Sequence, residues 1–271
     1  MHIDVIGQGP ALVFLHGWAL HGGVFAPLVE RLAPHYQVHL VDLPGHGFSR
    51  EDSTPLALPY VVAEIAAAIP PAVWIGWSLG GLFALHAAAT QPQVRGLAMI
   101  AATPRFVKGN DWPDAVERDI FVQFGQDLLR DFHGTLERFI ALDTLGSAHA
   151  RSELRSLRET LTARGEPAAE ALQQGLSLLE RTDLRRALQQ LARPSLWIAG
   201  QRDRLVPAAG VHAAAALAPQ AQALTITGGG HAPFLGHAEQ VAEALQRFVA
   251  SLPSAERRSC GIDDRGRNAW I

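Results

Sequence analysis

The chain has 271 residues, with 23 basic against 26 acidic side chains, a formal net charge of −3 and a single cysteine. A slightly acidic balance argues against a general nucleic-acid binder, which needs a basic surface, and the lone Cys260 excludes an intrachain disulfide and favours a reducing, cytoplasmic setting. The length suits one large domain with its own core. No apolar run approaches the roughly 20 residues that span a bilayer, and the start of the chain lacks a basic-then-apolar export signal, so no membrane association is expected.

In chain order, short apolar runs at Ala11 to Leu15, Val38 to Leu43, Val73 to Gly76 and Leu97 to Ala101 read as strands. They are apolar throughout rather than alternating, the mark of a mostly parallel sheet covered by helices on both faces, and therefore of an α/β fold. Val24 to Ala33, Tyr60 to Ile69 and Leu79 to Ala89 supply the covering helices. From Thr103 to Arg186 the pattern is helical alone, with Phe121, Phe124, Leu128, Leu129 and Phe132 at helical spacing. This predicts a helical lid over 103–186, inserted between core parts 1–102 and 187–252. The second part carries a strand at Ser195 to Gly200, a helix at Ala208 to Leu217, a strand at Ala223 to Ile226 and a closing helix at Ala238 to Ser251. After Pro253 charged residues dominate, which predicts a flexible tail over 253–271.

Gly76-Trp77-Ser78-Leu79-Gly80-Gly81 stands between a predicted strand and a predicted helix, where a nucleophile elbow belongs. A serine hydroxyl is a poor nucleophile unless a base removes its proton. His231, in the glycine-rich loop Gly228-Gly229-Gly230-His231 after the last strand, is the candidate base, and His237 is its close competitor. Asp203, in the loop leaving Leu196 to Gly200, is the candidate for orienting the imidazole. The alternative for Asp203 is to cap the next helix. Asp42 also follows a strand but precedes the nucleophile, against the order Ser, Asp, His. Acyl transfer further needs donors for the oxyanion: the backbone N–H of Leu79, at a helix start, and that of Trp18, in the loop His16-Gly17-Trp18. No cofactor is implied, and the histidines do not pair at metal-ligand spacing on one element, so no metal is expected.

Taken together, these segments resemble the α/β-hydrolase superfamily over about Ile3 to Leu252. The chain is further similar to the pimeloyl-[acyl-carrier protein] methyl ester esterases of biotin synthesis, on Leu15-His16-Gly17-Trp18, His39 to Gly45, Trp74 to Gly81, Glu137 to Leu142 and His231-Ala232-Pro233-Phe234. That resemblance implies an α/β-hydrolase fold with a helical lid and a carboxylesterase acting on the methyl ester of pimeloyl-acyl carrier protein. It implies an acyl pocket lined by Trp18, Ser78, Leu79, Phe139, Ile140, Ala141, Leu142, Asp143 and His231. Asp143 departs from the family, which often has a neutral polar residue there. The resemblance also implies that Arg138, Arg151 and Arg155 contact the carrier. Helical spacing adds Arg158 to the face of Arg151 and Arg155, beside Leu154, Leu157 and Leu161, although interleaved Glu153 and Glu159 also suit a simple solvated face. Acyl carrier protein and small esters are the expected partners of a monomer. The alternatives are a broad short-chain esterase, a lactonase or a carbon–carbon bond hydrolase on the same scaffold, and, from another class, a non-catalytic binding protein, which an intact triad disfavours.

Overall fold

A computed structural model describes residues 1–253. Seven strands, β1 (His2–Ile6), β2 (Ala11–Leu15), β3 (Gln37–Asp42), β4 (Ala72–Trp77), β5 (Val94–Ile100), β6 (Ser195–Gly200) and β7 (Ala221–Ile226), form one sheet in the order β1-β3-β2-β4-β5-β6-β7. Every pairing is parallel except β1 with β3. β2, β4 and β6 are buried at every position, which is why their sequences are apolar without alternation, whereas the edge strands β1 and β7 carry exposed residues. The sequence does not announce β1: His2-Ile3-Asp4-Val5-Ile6 mixes polar and apolar residues, and partnership with β3 makes it a strand.

Helices α1 (Ala26–Leu32), α2 (Leu58–Ala68), α3 (Leu79–Thr90), α9 (Ala208–Leu217) and α11 (Ala238–Ser251) accompany the sheet, and a one-turn helix α10 (Pro233–Gly236) precedes the last of them. The helix predicted from Val24 starts as a 3-10 turn over Gly22–Phe25. Between β5 and β6 lie α4 (Arg118–Arg130), α5 (Phe132–Thr144), α6 (Ala150–Ala163), α7 (Ala169–Arg181) and α8 (Arg185–Gln189). α4 packs on α5 and α7, and α5 packs on α6. α8 packs instead on α3 and α9 and so sides with the sheet layer. Leu128 is buried while Leu129 is 81% exposed, because one residue along a helix turns the side chain by about 100° out of the buried stripe.

An ion-pair network joins this helical segment to the sheet. Arg164, just after α6, donates to both oxygens of Asp42 at 3.2 and 3.0 Å and to Asp4 at 2.6 Å. Nearby, His21 bonds the carbonyl of Thr160 at 2.7 Å, and the Ala168 N–H donates to the carbonyl of Gly45. At the chain's other end Arg95 donates to the carbonyl of Pro253; the rest of the expected tail lies outside the described residues. Among the described residues no helix is long and apolar enough to cross a membrane.

Candidate active site

β4 ends at Trp77 and α3 begins at Leu79, leaving Ser78 alone in the turn with φ 52° and ψ −121°. For a residue with a Cβ this left-handed backbone costs of order 1–3 kcal/mol and persists only where the surroundings impose it. The glycines at either side do so. A Cβ on Gly76 would lie 2.4 Å from the carbonyl oxygen of Gly80, and one on Gly80 would lie 2.1 Å from that of Leu15. The turn is therefore as tight as bare backbone allows, and it places the serine hydroxyl at the carboxyl end of the sheet.

The Ser78 hydroxyl donates to Nε2 of His231 at 2.8 Å, and Nδ1–H of His231 donates to Oδ2 of Asp203 at 2.8 Å. Because an ionised carboxylate only accepts, this second bond sets the tautomer that leaves Nε2 free to take the serine proton. The other oxygen of Asp203 accepts the N–H groups of Leu205 and Val206, both at 2.8 Å, so the loop after β6 holds the carboxylate in place. It does not cap α9, whose N-cap is Pro207. The Trp77 indole donates to the carbonyl of His231, and a Cβ on Gly200 would strike the carbonyl oxygen of Gly230 at 2.0 Å, so elbow and histidine loop are locked together. All three side chains are buried. Burial lowers the pKa of His231, but the charge and hydrogen bond of Asp203, with a contribution from Asp143, outweigh it and leave the pKa raised above the ordinary imidazole value.

His237 stands at the N-cap of α11, with its ring against that of His149, and makes no hydrogen bond to the serine. Asp42 accepts from the N–H groups of Gly22 and Phe48 and pairs with Arg164. His16 accepts the Leu43 N–H at Nε2 and bonds the Gly17 carbonyl through Nδ1, which shapes the loop before Trp18. That loop passes close to Ser78, since a Cβ on Gly17 would lie 3.3 Å from Cβ of Ser78. Among the described residues the backbone N–H groups of Trp18 and Leu79 make no hydrogen bond.

The five residues Phe139 to Asp143 do not share one environment, because they span more than a full helical turn of α5. Phe139, Ile140 and Asp143 are buried, and the Phe139 ring meets that of Trp18 edge-on at 4.7 Å. Ala141 and Leu142 turn away and line an outer groove of about 640 Å³ between α4 and α5. Phe124 belongs to both places: it lines that groove and packs against the rings of Trp18 and Phe139. The Trp18 indole donates to the carbonyl of Leu172, and Gly175 gives it room, since a Cβ there would lie 2.8 Å from the indole. Neither Leu172 nor Gly175 stands in a sequence motif; only the packing of α7 over Trp18 singles them out. Asp143 is fully buried, neither carboxylate oxygen has a partner among the described residues, and burial raises its pKa to about 7, with Asp203 adding to the rise and His231 opposing it.

Of the four arginines, Arg151, Arg155 and Arg158 line one surface groove on α6 with His149, Ser152 and Leu154. Arg138 does not join them: it lines the α4–α5 groove and pairs with Asp127 and Asp131. Arg158 is paired with Glu137 and Arg155 with Glu159. Glu153 is not on a solvated face; it is buried and accepts from the Ser147 hydroxyl. Among the described residues no group of three or more acidic, histidine or cysteine side chains is placed to hold a metal ion.

Comparison with known proteins agrees with this geometry. The profile of a family described as having the alpha/beta hydrolase fold matches residues 10–238. A pimeloyl-[acyl-carrier protein] methyl ester esterase of Xanthomonas oryzae pv. oryzae is 89% identical over 253 residues, covering 93% of this chain and 100% of that protein. One of the same name from Stenotrophomonas maltophilia is 72% identical over 256 residues, covering 94% and 99%. Among solved structures, an esterase from Exiguobacterium antarcticum superposes with a TM-score of 0.82 at 21% identity, covering 92% of this chain and 95% of that one, a likeness of fold.

Proposed function

Because the chain belongs to the α/β-hydrolase fold family and, within it, to the pimeloyl-[acyl-carrier protein] methyl ester esterases, we propose that it is a serine carboxylesterase that hydrolyses the methyl ester of pimeloyl-[acyl-carrier protein] and so frees the pimeloyl carboxylate for biotin synthesis. The observation that carries the chemistry is the pair of 2.8 Å hydrogen bonds running from Ser78 through His231 to Asp203. On this reading the Ser78 oxygen attacks the ester carbonyl carbon while His231 takes the hydroxyl proton. The tetrahedral oxyanion is met by the N–H groups of Trp18 and Leu79, the second backed by the positive end of the α3 dipole. His231 returns the proton to the departing methoxide, releasing methanol and leaving an acyl-serine. A water activated by the same histidine then cleaves that ester, and the acid product loses its proton to become the carboxylate.

Trp18 and Phe139 would hold the acyl chain above the nucleophile, under helices α4 to α7 serving as a lid. The α6 groove with Arg151, Arg155 and Arg158 suits the acidic surface of an acyl carrier protein, the expected partner of a cytoplasmic, monomeric enzyme. The test is hydrolysis of methyl pimeloyl-acyl carrier protein beside free methyl esters of graded length. The reading expects strong preference for the carrier-bound ester and none of this activity in Ser78→Ala. Equal rates on short free esters would instead favour a broad esterase.

A further inference from the structure

Buried carboxylates normally find partners, because an unpaired one is costly to keep. Asp42 obeys this rule: it is fully buried and is met by two backbone N–H groups and the fork of Arg164. Asp143 does not. It is equally buried, yet neither of its oxygens has a hydrogen-bond partner among the described residues. A residue kept only for packing at this place would be apolar, or would have its oxygens bonded.

Its place in the fold is against the histidine loop. Asp143 follows Phe139 by one turn on α5, and Phe139 packs on Trp18 beside the nucleophile. Its own backbone carbonyl accepts the N–H of His231 at 3.1 Å, so helix and histidine loop are in direct contact there. We propose, building on the esterase reading above, that Asp143 is a positioning residue for the reaction: a second carboxyl of the centre that acts on His231 through space and favours the imidazolium that forms as Ser78 gives up its proton. Asp203 does this through a hydrogen bond; Asp143 does it through its uncompensated charge, in a site where burial makes charges felt strongly. The two titratable groups that act on Asp143 are His231, from the loop after β7, and Asp203, from the loop after β6. Glu153 of α6 accepts from the Ser147 hydroxyl, and His149, at the start of α6, meets the ring of His237 ahead of α11, while Asp119, Asp127 and Arg138 line the outer groove between α4 and α5. The interaction runs both ways: Asp143 raises the basicity of His231, and His231 favours the ionised form of Asp143.

The test is the pH profile of kcat/KM for a small activated ester, p-nitrophenyl butyrate, in wild type and in Asp143→Asn. Loss of a nearby negative charge lowers the basicity of His231, so the acid limb should move to lower pH by about half a unit to one unit. The plateau at pH 8.5 should fall by about threefold to tenfold, the same free energy read in the rate. A purely structural role would lower the plateau and leave the limb in place. Asp143→Ser, smaller and also neutral, should give the same displacement if the asparagine folds poorly. The imidazole titration of His231, followed by NMR in both proteins, requires no turnover, so it tests the proposal even if wild type cleaves no ester and the esterase reading falls. An unmoved acid limb and an unmoved imidazole titration in a folded variant would overturn it.

Discussion

Arg164→Met removes the cation that ties the end of α6 to the sheet while keeping most of the aliphatic stem. The arginine side chain is 15% exposed and Asp42 is fully buried, so the variant strands a carboxylate where water cannot replace the lost partner. Breaking a buried pair in this way costs about 3–5 kcal/mol. Asp42 still accepts from the N–H groups of Gly22 and Phe48, which places the expected loss at the lower end, about 3 kcal/mol. For a domain of this size 1 kcal/mol corresponds to roughly 2–4 °C, so Tm should fall by about 6–12 °C. Arg164→Lys, which restores the charge but not the planar fork, should recover roughly half of that. The assay is thermal unfolding by circular dichroism at low and high salt, and the loss should change little with salt because the pair is shielded from the solution. Arg164 makes no hydrogen bond to Ser78, His231 or Asp203, so hydrolysis of small esters well below Tm should persist. A fall of less than about 2 °C, or a lysine variant as damaged as the methionine one, would refute the argument from a buried charge.

Asp203→Asn should fold normally and lower kcat by about 10⁴, because an amide can hold the imidazole in the wrong tautomer; His237→Ala, altering a ring with no bond to the serine, should leave ester hydrolysis near wild type, and the opposite pattern would mean that the wrong histidine is the base. Gly80→Ala would force a Cβ to within 2.1 Å of the Leu15 carbonyl oxygen and should either abolish folding or distort the elbow, visible as loss of both Tm and turnover. A stable, active alanine variant would show that the turn has slack. Arg151→Glu with Arg155→Glu should slow hydrolysis of the carrier-bound ester at low salt, with the deficit shrinking as salt rises and with free esters cleaved normally. Equal rates on the carrier substrate would mean that the α6 groove does not dock it.

Much of the centre is legible in the sequence because its parts are local. The elbow is a tight turn, and a tight turn needs glycines at fixed offsets from Ser78, so strand, turn and helix are written in one short stretch. The apolar runs of β2, β4 and β6 carry the sheet in the same way, since a strand buried on both faces has no polar positions to spare. Asp203 and His231 follow from their loops after β6 and β7, although it takes the folded chain to show that the aspartate meets the histidine instead of capping α9.

What tertiary structure alone decides are the relations between segments distant in sequence, where no local rule acts. β1 is a strand because β3 supplies its hydrogen bonds. Arg164 finds Asp42 122 residues and Asp4 160 residues away along the chain, and neither spacing leaves a periodic trace. The run Phe139 to Asp143 reads as one pocket wall, but rotation about the helix axis and the packing of α5 against its neighbours divide it, sending Ala141 and Leu142 to the outer groove and burying Asp143 against the loop of His231. The same packing separates Arg138 from the arginines of α6 and engages it with Asp127 and Asp131. Whether a charge is solvated, paired or stranded depends on what the rest of the chain brings up against it. Residue type and spacing state that a carboxylate is present at position 143, and only the fold states that neither of its oxygens finds a hydrogen-bond partner among the described residues.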